Sequence, residues 1–157
     1  MFFSGSKKDQ DRDYANKVIN KLCESVISDA WSKDEQLQSV QMVLFTLRIF
    51  LSRFEQEKDR LKKLSNQLTT QAEVIKSTID TGSSKEIQTA RYQTLFDFAT
   101  AINTLVHVFQ NQDNGQKQSF IDVIIPTITR LEEKESTLLQ EKSKEMNEES
   151  SPNPSNL

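Results

Sequence analysis

The side chains best able to do chemistry are few and scattered. His107 is the only histidine of the chain and Cys23 the only cysteine. His107 lies between Val106 and Val108. Helical spacing puts it off the stripe that runs through Leu105 and Phe109, which predicts a surface imidazole rather than a general base or pH sensor. Cys23 stands among Ile19, Val26 and Ile27, where an inert, buried thiol is expected. A reactive thiolate would need electropositive neighbours. A single cysteine allows neither an intramolecular disulfide nor a paired-cysteine zinc site, and it suits a reducing compartment.

Carboxylates offer no better starting point. Glu132, Glu133 and Glu135 cluster in one helical segment. A di-metal site in a helical bundle pairs Glu with His three residues on, and no such pair exists here. A solvated charged face is the expectation. No Gly-rich phosphate loop occurs, so nucleotide hydrolysis has no support. The sequence therefore predicts no catalytic residues, no metal and no cofactor.

Arg53, Lys58, Arg60, Lys62 and Lys63 form the densest basic cluster, but Glu55, Glu57 and Asp59 interleave with it. Opposite charges three and four residues apart are ordinary helix-surface pairing. With a net charge of −3, the chain lacks the clustered basic face that nucleic acid requires. The opening Met1-Phe2-Phe3, followed by Lys7 and Lys8, could make weak contact with an anionic membrane. It is too short for a secretory signal, and no apolar run is long enough to span a bilayer. A cytoplasmic location is expected.

The elements that must position these residues are helical. Only three glycines and three prolines punctuate the whole chain, too few turn residues for a sheet protein of this size. A first helix starts near residue 10, with Asp9, Asp11 and Asp13 as candidate caps, and carries Tyr14, Val18, Leu22, Val26 and Ala30 on one face to about Trp31. Ser32-Lys33-Asp34-Glu35 then reads as a capping box.

The second helix holds a seam of Leu37, Val40, Leu44, Leu47, Leu51, Phe54, Lys58, Leu61, Ser65, Leu68, Ala72, Ile75 and Ile79. Its three- and four-residue steps persist for about six heptads, and a straight helix of this span would measure roughly 70 Å. Gly82 suits the residue just past its end, and Ser83-Ser84-Lys85-Glu86 repeats the capping box. A third helix follows with Leu95, Phe98, Ile102, Leu105 and Phe109 as its seam, closing in the polar turn 110–115. A fourth runs from about Lys117 to about Lys144, with a kink or fresh start expected at Pro126.

The expected fold is all-α: an antiparallel bundle of about four helices with a long, heptad-bearing second helix forming a coiled-coil-like hairpin. Residues 1–9 form a lead-in, 10–145 the bundle and 146–157 a tail expected to be disordered for want of apolar side chains.

The segment Leu37–Phe54 is the most apolar of the chain. Beside its seam it carries Met42, Val43, Phe45, Ile49 and Phe50, and a helix apolar nearly all round must be buried on several sides. Two arrangements meet that demand. Either the helix breaks around Glu55–Asp59 and all helices share one core, or these five residues pack against another chain, identical or different. The functional expectation is a non-catalytic protein–protein interaction subunit: an adaptor, a chaperone-like protein or a structural part of a larger assembly. The alternatives are a small helical enzyme or regulator whose site the sequence does not display, and a membrane-peripheral protein using Phe2 and Phe3.

If Ser32 and Ser83 each accept a hydrogen bond from an orphan amide at a helix start, Ser32→Ala and Ser83→Ala each cost roughly 1 kcal/mol in a denaturant melt. Two neutral substitutions would move both helix starts elsewhere.

Overall fold

The computed structural model describes residues 6–24, 32–79, 85–111 and 113–150, and side chains as far as Met146. Among these residues there are five helices and no strand: α1 (Lys7–Glu24), α2 (Lys33–Ser52), α3 (Phe54–Thr78), α4 (Lys85–Gln110) and α5 (Asn114–Ser150). The Ser83 cap and the Gly82 terminus lie outside the described residues, as do Val26, Ile27, Ala30, Trp31, Phe2 and Phe3.

Local chemistry sets the helix starts. Ser6, rather than Asp9, Asp11 or Asp13, begins α1: its Oγ accepts from the Asp9 N–H at 3.3 Å and its carbonyl from the Gln10 N–H at 3.0 Å. The capping box at α2 forms as the sequence predicts. Ser32 Oγ accepts from the Glu35 N–H at 3.2 Å, and Glu35 Oε1 accepts from the Ser32 N–H at 3.3 Å. At α5, Asp113 Oδ1 accepts from the Gln116 N–H at 3.1 Å while its other oxygen takes the Lys7 ammonium at 2.8 Å. Lys7 first, then that N–H, hold the Asp113 carboxyl below the usual carboxylate range. This tie between the starts of α1 and α5 is therefore present at neutral pH and is lost only in acid.

The single long second helix of the sequence reading is two helices. Arg53 (φ −138°, ψ 21°) ends α2 with its N–H on the Ile49 carbonyl, 2.8 Å away, and begins α3 with its carbonyl accepting from the Glu57 N–H at 3.0 Å. The break falls just before the Glu55–Asp59 window, with neither glycine nor proline to mark it. Chain reversal follows from two contacts. The Arg60 guanidinium lies 5.2 Å from the Phe45 ring centroid, and Met42 and Leu68 line one cleft. In an unbroken helix residues 42 and 68 would stand about 39 Å apart.

The seam changes partner at the break. Leu51, expected on it, is 36% exposed, while Phe50 and Phe54 turn inward to meet Phe109. The three ring centroids lie 5.0 to 5.6 Å apart.

Beyond this corner α3 and α4 pair antiparallel along most of their length. Ser65, a polar member of the seam, is fully buried there and donates to the Ala99 carbonyl at 3.2 Å. The other buried hydroxyls among the described residues, Thr46, Ser119 and Thr127, bond to carbonyls of their own helices, so among these Ser65 alone ties two helices together in this way. Lys58, the second polar seam residue, reaches Glu55 at 3.2 Å instead.

α5 runs antiparallel to α2, through Lys33 to Glu141, Asp34 to Lys142 (3.4 Å) and Arg48 to Glu132 (2.8 Å). α1 runs parallel to α5, with Tyr14 edge-on to Phe120 at 5.7 Å, and antiparallel to α4, with Lys21 3.8 Å from Asp97. These exposed ion pairs set register more than stability. α5 passes through Pro126 without restarting. Pro126 and Ile125 are exposed there, so the carbonyl that the ring leaves without a donor opens toward solvent.

The core joins all five helices. Ile19, Leu22, Val40, Leu44, Leu47, Ile102, Leu105, Phe120 and Ile124 are its innermost members. α2 sits at its centre, with buried residues at 37, 40, 43, 44, 46, 47, 49 and 50.

A candidate docking cleft between α2 and α3

α2 and α3 are joined by one residue yet touch sparingly, because both turn their widest apolar faces toward other helices. Between them opens a cleft of about 330 Å³. α2 contributes Gln38, Ser39 and Met42, α3 contributes Leu68, Gln71 and Ile75, and α4 contributes Thr94, Leu95 and Phe98. Leu68 and Phe98 are buried in the core, so the lining is continuous with it.

Charged groups stand at both ends. Near the Arg53 corner the Arg60 guanidinium covers the exposed Phe45 ring, a cation–π arrangement that leaves Arg60 hydrated. At the other end Arg91 donates to Glu35 at 2.8 Å. Glu35 thus closes the α2 capping box and ties the start of α2 to α4.

The structure divides the five partner-binding residues read from the sequence. Val43, Ile49 and Phe50 lie in the chain's own core at 0%, 5% and 2% exposure. Met42 and Phe45 stay at the surface, 38% and 42% exposed; Met42 lines the cleft, while Phe45, one turn on, lies under Arg60 and is not part of the lining. Sequence reasoning did not find Glu35 or Arg91 as cleft residues, nor Arg60 as the cover of Phe45. Arg60 resembles every other cation of its cluster until the chain folds back on itself.

The residues with reactive side chains are not drawn together. His107 is exposed on α4. Cys23 is half-buried against the core, beside Asn20, Thr127, Arg130 and Leu131. Burial pushes its thiol up to about 11, with Arg130 opposing weakly, so at neutral pH it is protonated and a poor nucleophile. Glu132 pairs with Arg48, while Glu133 points to solvent. Among the described residues no three His, Cys, Asp or Glu side chains are grouped so that they could hold a metal ion. No described helix is long and apolar enough to cross a membrane. Comparison with protein families, with characterised proteins and with solved structures finds no match to this chain.

The division of the five residues has a direct consequence for stability. Met42→Asp and Phe45→Asp, at exposed positions, should each lower the unfolding free energy from a urea melt by under about 1 kcal/mol, whereas Val43→Asp and Phe50→Asp should cost over about 4 kcal/mol or prevent folding. Equal losses in both pairs would mean that α2 does not present the face described.

Proposed function

We propose that the chain is a non-catalytic interaction subunit, an adaptor, chaperone-like protein or structural part of a larger cytoplasmic assembly, and that it docks its partner at the α2–α3 cleft. One observation carries this reading: Met42 lines an apolar cleft and stays exposed, Phe45 one helical turn on is exposed under the Arg60 guanidinium, and the residues between them belong to the core. Single exposed apolar residues are common, but two large ones beside a cleft continuous with the core resemble the apolar centre of an interface. The polar side chains around them, Gln38, Ser39, Gln71 and Thr94, suit its hydrogen-bonding rim. The α3–α4 pair, with its heptad spacing, is read as the coiled-coil-like spine that holds one wall of the cleft in place.

The test is site-specific photocrosslinking in the native host. A benzophenone side chain in place of Phe45 should yield a discrete protein adduct that Met42→Asp suppresses. The same group at the exposed Thr137 of α5 serves as control. Equal labelling at both positions, or none at position 45, would remove the cleft as a docking surface.

A further inference from the structure

We propose that this chain forms a domain-swapped dimer, in which the joint at Arg53 straightens and the α1–α2 unit of each copy packs on α4 and α5 of the other. The dimer needs no other protein at the cleft. A single residue joins two antiparallel helices, and that residue is neither glycine nor proline but a good helix former. Arg53 gives α3 no side-chain cap, and α2 has no cation in its last turn. The reversed joint therefore leaves helix-end amides and carbonyls to water, whereas a straight joint pairs them with one another. Short hinges of this kind invite the exchange of identical elements between copies.

Straightened, α2 and α3 become one helix from Lys33 to Thr78, roughly 70 Å long. The heptad seam runs through it without a skip: Leu47, Leu51, Phe54, Lys58 and Leu61 keep their four- and three-residue steps. Leu51 gains most. In the hairpin it is 36% exposed, because the seam shifts across the break. In the straight helix it returns to the seam.

A second copy supplies the neighbours that the hairpin supplies. Two straight helices lying side by side and antiparallel, with a two-fold axis at Arg53, set each α2 against the α3 of the other copy in the direction it already has. The contacts that hold α1 and α2 to α4 and α5 then re-form between chains: Arg48 with Glu132, Lys33 with Glu141, Lys21 with Asp97 and Tyr14 with Phe120. The cleft also re-forms, with Met42 from one chain and Leu68 and Phe98 from the other. The corner of Phe50, Phe54 and Phe109 is rebuilt at the axis, beside the two Leu51 side chains. α1 has to travel with α2. The exchange moves the start of α2 by two α2 lengths, about 60 Å, whereas the chain from Glu24 to Ser32 reaches at most about 28 Å. The hairpin is closed within one chain, so it dominates in dilute solution and the dimer grows with concentration.

The test is refolding of the full chain from urea at about 5 µM and at about 0.5 mM, followed by size-exclusion chromatography. The dilute sample should be monomeric. The concentrated sample should contain a dimer that persists after dilution, because its return to monomer requires the core to open. Chains with Arg48→Cys and chains with Glu132→Cys, both in a Cys23→Ser background, are then mixed in urea, refolded together at the higher concentration and treated with a short bis-maleimide. The dimer fraction should yield a covalent dimer and the monomer fraction none. Leu51→Asp should cut the dimer yield about tenfold or more and leave the monomer's urea midpoint unchanged. Two glycines inserted after Arg53 should cut it as much, because they favour the hairpin over the straight helix. A chain that remains monomeric after concentrated refolding overturns the proposal. So does a dimer whose positions 48 and 132 do not link between chains, since its copies then meet on another surface.

Discussion

Three phenylalanine rings hold the reversal at Arg53, and the rest of the bundle depends on that reversal. An unbroken helix through this point would keep about three further backbone hydrogen bonds, each worth about 1 kcal/mol net. Breaking it brings Phe50, Phe54 and Phe109 into one cluster with contacts near 5 Å. Burying each ring contributes about 1.5–3 kcal/mol, and each ring pair about 0.5–1.5 kcal/mol more. The cluster therefore outweighs the lost bonds. The freed backbone groups sit beside exposed Ser52 and Arg53, where water can satisfy them. Glu55 and Glu57 in the first turn of α3 add a favourable interaction with its helix dipole.

From this corner the remaining contacts follow. With the chain reversed, α2 lies alongside α5, touches α3 and α1, and reaches α4 through Phe50, which accounts for buried residues around more than half of its circumference. Leu51 is left outside because the seam shifts across the break. The cleft arises from the same constraint. α2 spends most of its apolar surface on α5, and α3 spends its own on α4, so the face between the two linked helices is only partly closed and Met42 and Phe45 remain exposed.

Much of the fold was legible in the sequence because helical periodicity and capping are local signals. The Ser32 box and the α4 stripe from Leu95 to Phe109 could both be read from spacing. A break was legible as one of two arrangements, around Glu55–Asp59, but its place at Arg53 was not. It is made by a long-range contact with Phe109, and the heptad count runs on through Arg53 because Phe54 satisfies both the old seam and the new one. The same limit applies to the cleft. Met42 and Phe45 stood out as apolar, but so did Val43, Ile49 and Phe50, and only the packing of the other helices around α2 separates those that are covered from those that are not. The pairing of Arg60 with Phe45 and of Arg91 with Glu35 had no sequence signal, since each joins residues brought together by the reversal or by the bundle as a whole.

A distance across the joint tests this account most directly. Gln38 and Gln71 line the same cleft but lie 33 residues apart, a separation of about 50 Å in a continuous helix. Spin labels on Gln38→Cys and Gln71→Cys in a Cys23→Ser background, diluted with unlabelled chain to isolate intramolecular pairs, report this separation by pulsed dipolar spectroscopy. Reversal at Arg53 predicts a single population at about 20 Å or less, two helix radii plus the label arms. A dominant population near 50 Å would contradict it and would mean that α2 and α3 are one rod.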